Sequence, residues 1–175
     1  MHTDDTSGAA TLRAPRAEDG SAIWRLVRDG GSLDLNSPYL YLLICTDFAA
    51  TSIVAADADD APVGFVAAYR PPADPKAAFV WQVGVAPAAR GQGLAKRLIK
   101  GMLARDANRD ATELTATVTP SNQASMALFH GVARDLGAQV TERERFAASL
   151  FPEGHEAERE LRIGPLPERP DPEVP

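Results

Sequence analysis

Cysteine, histidine and long apolar runs are all scarce in this chain of 175 residues. The single cysteine, Cys45, excludes an intrachain disulfide and fits a reducing compartment, so we expect a cytoplasmic protein. One cysteine and three histidines also exclude a cysteine-rich zinc module, and nothing in the pattern requires a metal. The longest apolar run, Tyr39–Cys45, is far shorter than the roughly 20 residues that cross a bilayer. The acidic N-terminus lacks the apolar segment of a secretory signal, so we expect no membrane association.

The chain has fewer basic residues than acidic ones, 18 against 24. The net charge of −6 argues against a general nucleic-acid binder, because phosphate backbones select basic surfaces. Residues 88–105 are the exception, since they hold basic side chains and no acid: Arg90, Lys96, Arg97, Lys100 and Arg105. This basic block indicates either a site for an anionic small molecule or a solvated helix face.

The composition is that of one soluble globular domain, with 45% hydrophobic and 24% charged residues. We expect the domain to span residues 11–165. Residues 1–10 are predicted to be a disordered tail. Residues 166–175 are predicted to be a second tail, because a proline at every second or third position prevents both helix and central strand.

The alternation of apolar periods predicts an α/β domain with the element order β-α-α-β-β-β-α-β-α-β-β. Helical spacing is clearest after Gly93, and the most strand-like run is Phe79–Val85. The helix after Gly93 is expected to reach residue 107, and the strand that starts at Gln139 to reach Leu150. Strands in series followed by alternating strands and helices predict a mixed sheet with helices on its faces.

The segment 83–95 joins a strand directly to a helix. Its small residues let the backbone approach a ligand, and the N–H groups of a first helical turn bind phosphate. The lysine and hydroxyl residue of a Walker loop are absent after Gly93, and Lys96 stands where a dinucleotide fingerprint needs glycine. The pattern Arg90-x-x-Gly93-x-Ala95 after a Val-x-Val-x-Pro strand instead resembles the pyrophosphate loop of the GNAT family of N-acetyltransferases.

The resemblance implies that acetyl-CoA lies where two central strands splay apart. The N–H of Val83 would hold the thioester carbonyl, and Asn122 would contact the pantetheine arm or simply cap its helix. The cofactor-binding residues implied are Val83, Val85, Arg90, Gly91, Gln92, Gly93, Leu94, Ala95, Asn122, Ser125 and Phe129. Phe129 stands where the family often has a tyrosine that protonates the departing thiolate, and phenylalanine cannot donate a proton.

Further segments resemble one branch of that family, the L-2,4-diaminobutyrate acetyltransferases of ectoine synthesis. They are Leu33–Tyr41, Cys45–Phe48, Gly64-Phe65, Tyr69–Pro72, Phe79–Val83, Thr117–Asn122, His155-Glu156 and Arg162–Gly164. This resemblance implies transfer of acetyl to the 4-amino group of diaminobutyrate, an osmotic-stress reaction that leads to a compatible solute. Dimerisation is common in the fold, so a homodimer is expected. Two alternatives stay open: an acetyltransferase for a polyamine, aminoglycoside or peptide terminus, and a non-catalytic acyl-CoA sensor.

An alkyl diamine calls for aromatic walls and acids, because an ammonium is attracted to ring faces and carboxylates. Asp34, Asp47, Trp81 and Arg70 are the predicted substrate-binding residues, with Arg70 either pairing with the substrate carboxylate or capping a strand end. Tyr39, Tyr41, His155 and Glu158 are the predicted catalytic residues. One of the two tyrosines is expected to supply a hydroxyl and the other to lie in the core, since residues two apart cannot share a helix face. His155 and Glu158 are predicted to reach over the site as base, water relay or substrate contact.

Overall fold

The computed structural model describes residues 10–31 and 33–168. In this part of the chain a mixed sheet of seven strands is covered by helices on both faces. The elements are β1 (Thr11–Arg13), α1 (Gly20–Gly30), α2 (Pro38–Cys45), β2 (Ile53–Ala56), β3 (Pro62–Tyr69), β4 (Ala77–Val85), α3 (Leu94–Leu103), β5 (Glu113–Val118), α4 (Gln123–Leu136), β6 (Gln139–Phe146) and β7 (Glu158–Gly164). The predicted fold class and element order are confirmed.

The strands lie in the order β1-β2-β3-β4-β5-β7-β6. All neighbours are antiparallel except β4 and β5, which run parallel at the centre of the sheet. A parallel pair needs a crossover, and α3 supplies it. The sheet therefore consists of two antiparallel halves that meet along one parallel pair of strands.

Each face of the sheet has its own hydrophobic core. The larger core packs α3 and α4 against the sheet, with Leu98, Ile99 and Met102 of α3 fully buried. The smaller one packs α1 and α2 on the opposite face and includes Ile23 and Tyr41. Burial of these apolar side chains on both faces holds the central strands rigidly in place.

Local sequence explains where the helices begin and end. Ser37 caps α2 by accepting a hydrogen bond from the Leu40 N–H, and Pro38 occupies the first turn, where its missing N–H costs nothing. The first helix ends at Gly31, whose φ of 61° suits glycine.

Two elements end earlier than the sequence predicts. The third helix stops at Leu103 and a separate 3-10 turn, Asp106–Asn108, follows it. The sixth strand stops at Phe146, because its partner β7 begins at Glu158, directly opposite, and no strand lies beyond to pair with. Residues 148–150 form another 3-10 turn instead.

The C-terminal boundary also differs from the expected one. Leu166 packs into the larger core, and its N–H donates to the Thr112 carbonyl oxygen at 2.8 Å. Proline prevents regular structure here but does not prevent packing. The remaining predicted tail residues, 1–9 and 169–175, lie outside the described residues. Within the described residues, no helix is both long and apolar enough to cross a membrane.

Candidate active site

The two central strands separate halfway along their length. Pairing of β4 with β5 ends at Val80 and Ala116, although the strands continue to Val85 and Val118. In the same region β4 carries a bulge against β3, where Ala67 pairs with Gln82 but Ala68 pairs with Val80, leaving Trp81 as the extra residue. The bulge and the lost pairing open a gap at the centre of the sheet.

Backbone groups of β4 face this gap. The Ala86 N–H donates to the Val63 carbonyl oxygen at 2.8 Å, and hydrogen-bonded pairs alternate along an antiparallel ladder. Gly84 and Gln82 therefore bond to β3, whereas the N–H and C=O groups of Val83 and Val85 point away from β3 and towards the gap. This direction is the one that the predicted cofactor contact of Val83 requires; the contact itself stays a prediction.

The loop before α3 forms a second concave site of about 280 Å³ beside the gap. Gly91 and Gly93 adopt φ values of 76° and 73°, which glycine tolerates and other residues adopt at a cost. No side chain caps α3, so the N–H groups of its first turn remain available to an anion. The loop site is lined by Val85, Ala89, Arg90, Gly91, Gly93, Leu94, Ala95, Lys96 and Leu128. Gln92 is not part of this lining.

Most side chains of the basic block are engaged within the protein. Lys96 and Lys100 both pair with Asp135 of α4, at 3.4 and 2.8 Å. Arg105 donates to backbone carbonyls near Ala50, and Arg90 donates to the Val85 carbonyl oxygen at 3.1 Å. Recognition of an anion at this end of the sheet therefore falls mainly to backbone N–H groups of the loop.

A cavity of about 550 Å³ lies at the gap. We call it the acceptor cavity. Eight predicted site residues line it: Asp34, Trp81, Val83, Asn122, Ser125, Phe129, His155 and Glu158. They come from the segment before α2, the bulged strand, the start of α4 and the bend before β7, so residues that are distant in sequence meet at one place.

Acidic side chains dominate the charge of the acceptor cavity. Asp34, Glu156 and Glu158 line it, and among the described residues the lining includes no lysine or arginine. Burial raises the pKa of Glu158 above its usual value, although the Thr117 hydroxyl donates a hydrogen bond to the carboxylate and His155 is close enough to oppose the shift. Asp34 adds to the raised pKa by repulsion. Such a cavity attracts cations, and the raised pKa makes the Glu158 carboxylate a better proton acceptor.

His155 has a defined tautomer. Its Nδ1 lies 2.6 Å from the Glu156 carbonyl oxygen, which can only accept, so Nδ1 carries the hydrogen. The Nε2 atom of the neutral ring is then a free acceptor. The ring also stacks on Phe151, with centroids 4.0 Å apart and planes at 14°.

A second contact ties the bend to the opposite wall of the acceptor cavity. The Glu156 carboxylate accepts hydrogen bonds from the Ser121 hydroxyl at 2.6 Å and from the Ser121 N–H at 3.2 Å. These two bonds lower the pKa of Glu156. They hold His155 and Glu158 over the mouth of the gap, next to the helix that carries Asn122.

The start of α4 contributes Asn122 and Phe129. The Asn122 side-chain oxygen accepts from the Ser125 N–H at 3.0 Å, which is the capping role that the sequence left open. Its NH2 group is still able to donate a hydrogen bond. Phe129 is buried and lines the acceptor cavity, so the wall at this point is apolar and carries no proton donor.

Four of the eight predicted catalytic and substrate-binding residues do not line the acceptor cavity. Tyr41 is fully buried and donates to Gln82 Oε1 at 3.2 Å, whereas Tyr39 is 67% exposed outside the cavity lining. Neither tyrosine lines the acceptor cavity, so the role of a tyrosine hydroxyl in the reaction stays a prediction. The helix α2 is apolar on all sides, and its pattern therefore cannot indicate which residue faces inwards.

Arg70 and Asp47 also lie outside the lining of the acceptor cavity. Arg70 closes the connection between β3 and β4, donating to the carbonyl oxygens of Ala77 and Ala107 and pairing with Asp110. It is the strand-capping alternative that is observed. Asp47 is exposed at the end of α2 outside the cavity lining.

Sequence reasoning missed Thr117, Gln82 and the Ser121–Glu156 contact as parts of the site. Gln82 carried a usable signal, because a buried strand rarely contains an amide that has no partner. The contact between Ser121 and Glu156 joins residues 35 apart, and no local pattern indicates it.

The fold and the site define an acetyltransferase. A family model described as the acetyltransferase (GNAT) family matches residues 21–132. The chain therefore belongs to the GNAT family of acetyltransferases.

Relatives within the family are more specific. The L-2,4-diaminobutyric acid acetyltransferase of Nocardia farcinica is 46% identical over 93% of this chain and 83% of its own length. The enzyme of the same name from Marinococcus halophilus is 47% identical over 94% of this chain and 95% of its own length. The solved diaminobutyrate acetyltransferase of Paenibacillus lautus, in complex with L-2,4-diaminobutyric acid and coenzyme A, superposes with a TM-score of 0.84 at 42% identity. The superposition covers 90% of this chain and 96% of the Paenibacillus lautus chain.

Proposed function

We propose that the protein transfers the acetyl group of acetyl-CoA to the 4-amino group of L-2,4-diaminobutyrate, as in ectoine synthesis. The observation that carries this proposal is the acceptor cavity, in which Asp34 and Glu158 stand beside a gap whose backbone groups are free to bind an acyl donor. The names of relatives that share over 40% of its residues point to the same reaction.

Charge explains why a diamine suits the acceptor cavity. Diaminobutyrate carries two ammonium groups and one carboxylate near neutral pH, so it enters an acidic cavity as a net cation. We assign Asp34 to bind one ammonium and Trp81 to pack against the methylene groups, since its ring lines the cavity and is 45% exposed. The substrate carboxylate then meets neutral donors of the lining, such as Asn36.

Proton removal is the first chemical requirement. An ammonium with a pKa of about 10.4 is neutral in roughly one molecule per thousand at pH 7.4. Glu158 is the base, because its pKa is raised, Thr117 fixes its orientation and it faces the acceptor cavity. His155 is the second acceptor within the same bend and assists as a relay through Nε2.

The neutral amine then attacks the thioester carbon. A new N–C bond forms, and the carbonyl oxygen becomes an oxyanion that accepts a hydrogen bond from the Val83 N–H. The nitrogen passes its second proton to His155 Nε2, and collapse of the intermediate breaks the C–S bond. The thiolate leaves without an acid at Phe129, which is feasible because thiols ionise far more readily than alcohols. The diphosphate of coenzyme A is held by N–H groups between Gly91 and Ala95.

Thiol release tests the proposal. Purified protein is mixed with acetyl-CoA and a panel of amines: diaminobutyrate, ornithine, lysine, putrescine, an aminoglycoside and a short peptide. We expect diaminobutyrate to give the highest kcat/KM and NMR to place the acetyl group on N4. Turnover of another amine in preference, or acetylation of the α-nitrogen, contradicts the substrate assignment. Coenzyme A binding without thiol release from any amine indicates a sensor.

Two further expectations accompany this function. A cytoplasmic location is supported by the free thiol of Cys45, which persists in a reducing compartment. A homodimer is supported by large apolar side chains left exposed on and around α2, among them Tyr39, Leu42 and Phe48. Light scattering after gel filtration measures the mass; a monomer at micromolar concentration contradicts the dimer.

A further inference from the structure

A chain of buried hydrogen bonds runs from the smaller core to the acceptor cavity. The Tyr41 hydroxyl donates to Gln82 Oε1 at 3.2 Å, and Gln82 Nε2 donates to the Asp34 carbonyl oxygen at 2.9 Å. Tyr41 is fully buried and Gln82 is 7% exposed, so the bond between them is shielded from water, and the bond to Asp34 is part-buried. The chain ends on the backbone of the residue that we assign to an ammonium.

The direction of the Gln82 amide is fixed by its partners. The Asp34 carbonyl can only accept, so the NH2 group must face it, and the amide oxygen is left for the tyrosine hydroxyl. Both amide groups are used in this orientation. A flipped amide loses the bond to the Asp34 carbonyl oxygen, because two acceptors then face each other.

Residues 33–37 depend on such contacts because they form neither helix nor strand. A second buried bond serves the same segment, since the Trp24 indole N–H donates to the Asn36 carbonyl oxygen at 3.2 Å. Side chains of the core thus replace the secondary structure that is missing around Asp34.

The bulge in β4 connects this chain to the rest of the site. Trp81 is the extra residue, and it lines the acceptor cavity. Gln82 follows directly, lines the same cavity and accepts a hydrogen bond from Tyr41 of α2. One irregularity in the strand therefore positions both the aromatic wall and the acidic residue.

We propose that Gln82 and Tyr41 are positioning residues that place the Asp34 carboxylate for recognition of the substrate ammonium. This inference rests on the proposed function. Neither residue touches the reacting atoms, so their loss should weaken diamine binding and leave the chemical step and the coenzyme site unchanged.

The test uses Gln82→Met, which keeps the volume and removes the amide, and Tyr41→Phe, which removes only the hydroxyl. Loss of a buried hydrogen bond corresponds to about a tenfold effect, so we expect the KM for diaminobutyrate to rise about tenfold in Gln82→Met. The kcat and the KM for acetyl-CoA should stay within about twofold of the wild type. Tyr41→Phe should shift the same parameter less, and it keeps the test informative if Gln82→Met does not fold.

Ser52→Ala is the matched control. Ser52 is fully buried and its hydroxyl exchanges hydrogen bonds with the backbone of Ala68, outside the lining of the acceptor cavity. It should lower the melting temperature without raising the KM for diaminobutyrate. If it raises that KM as much as Gln82→Met does, general destabilisation explains the effect and the inference is wrong.

A double-mutant cycle separates positioning from a direct role. If Gln82 acts through Asp34, then Gln82→Met should change the KM little in an Asp34→Ala background. Full additivity, an unchanged KM in both single variants, or an equal rise in the KM for acetyl-CoA overturns the inference. Wild-type turnover is measured first: if the wild type does not acetylate diaminobutyrate, the proposed function fails, whereas normal wild-type turnover with unaffected variants refutes only the positioning role.

Discussion

Replacing Glu158 with glutamine separates the removal of the ammonium proton from every other contribution to the rate. Glutamine keeps the size of the side chain and the hydrogen bond from Thr117. It cannot accept the substrate proton. The variant must therefore use diamine molecules that are already neutral.

The expected loss follows from proton availability. Recovering the thousandfold scarcity of free amine near pH 7.4 is worth about 4 kcal/mol. A positioned base typically supplies a factor of about 10² to 10⁴, so the kcat/KM of Glu158→Gln should fall about a hundredfold or more at neutral pH.

The pH profile gives a second signature. In the wild type, kcat/KM should fall on the acid side as Glu158 becomes protonated, at a pH above the usual carboxyl range because burial raises its pKa. In Glu158→Gln, kcat/KM should instead rise about tenfold per pH unit, following the neutral amine up to about pH 10.

Stability should change in the opposite direction to activity. A carboxyl whose folded-state pKa is raised contributes stability only below its unfolded pKa, and this contribution is lost as the pH rises through the folded value. At neutral pH the charged Glu158 therefore disfavours the fold, and Glu158→Gln should melt at a higher temperature.

Stopped-flow or thiol-trapping assays from pH 5 to 10 measure these effects, with differential scanning fluorimetry for stability. The control is Glu153→Gln, an exposed glutamate of the same bend that lies outside the acceptor cavity. The kcat/KM, the pH profile and the melting temperature of Glu153→Gln should match those of the wild type. A fall of less than about threefold in Glu158→Gln, with an unchanged pH profile, would refute the reasoning and assign the proton to His155 or water.

Two other substitutions test separate parts of the site, and a labelling experiment tests the smaller core. Phe129→Tyr should alter kcat by less than about threefold, because a thiolate leaves without an acid; a large gain in steady-state turnover would show that a missing proton donor limits the rate. Gly93→Ala forces a residue with a side chain into a φ of 73°, which costs about 1–2 kcal/mol. Calorimetry should therefore show that the affinity for coenzyme A is reduced about five- to thirtyfold. An unchanged affinity would contradict the loop assignment. Burial, with a smaller contribution from Asp19, raises the pKa of Cys45 to about 12. Iodoacetamide at pH 8 should therefore leave the thiol of the native protein unmodified and label it fully in denaturant, which mass spectrometry can measure. Rapid labelling of the native protein would argue against the buried position.

The elements and the coenzyme loop were predictable because their signals are local. The spacing of apolar residues within each helix or strand, and the glycine or proline next to its end, are enough to define that element. Gly91 and Gly93 mark the loop for a similar reason, since the required backbone angles are a property of those residues alone.

The acceptor side was only partly predictable because its contacts are distant in sequence. Asp34 and His155 lie in segments that carry the resemblance, Glu158 was predicted from its position after the last bend, and the fold brings all three to one cavity. The sequence left two roles open for Arg70, because its partner Asp110 lies 40 residues further along the chain. The basic block was ambiguous for the same reason, since Asp135, which binds two of its lysines, belongs to another helix.

The gap between β4 and β5 is lined by main-chain groups, and side-chain substitution hardly alters these. The amine, by contrast, meets side chains presented by two irregular segments, residues 33–37 and the bend around His155. Substitutions in these two segments can therefore change which amine is accepted without altering how the acyl donor binds. The same division tells an engineer who seeks a new acceptor to randomise the two segments and to leave the central strands untouched.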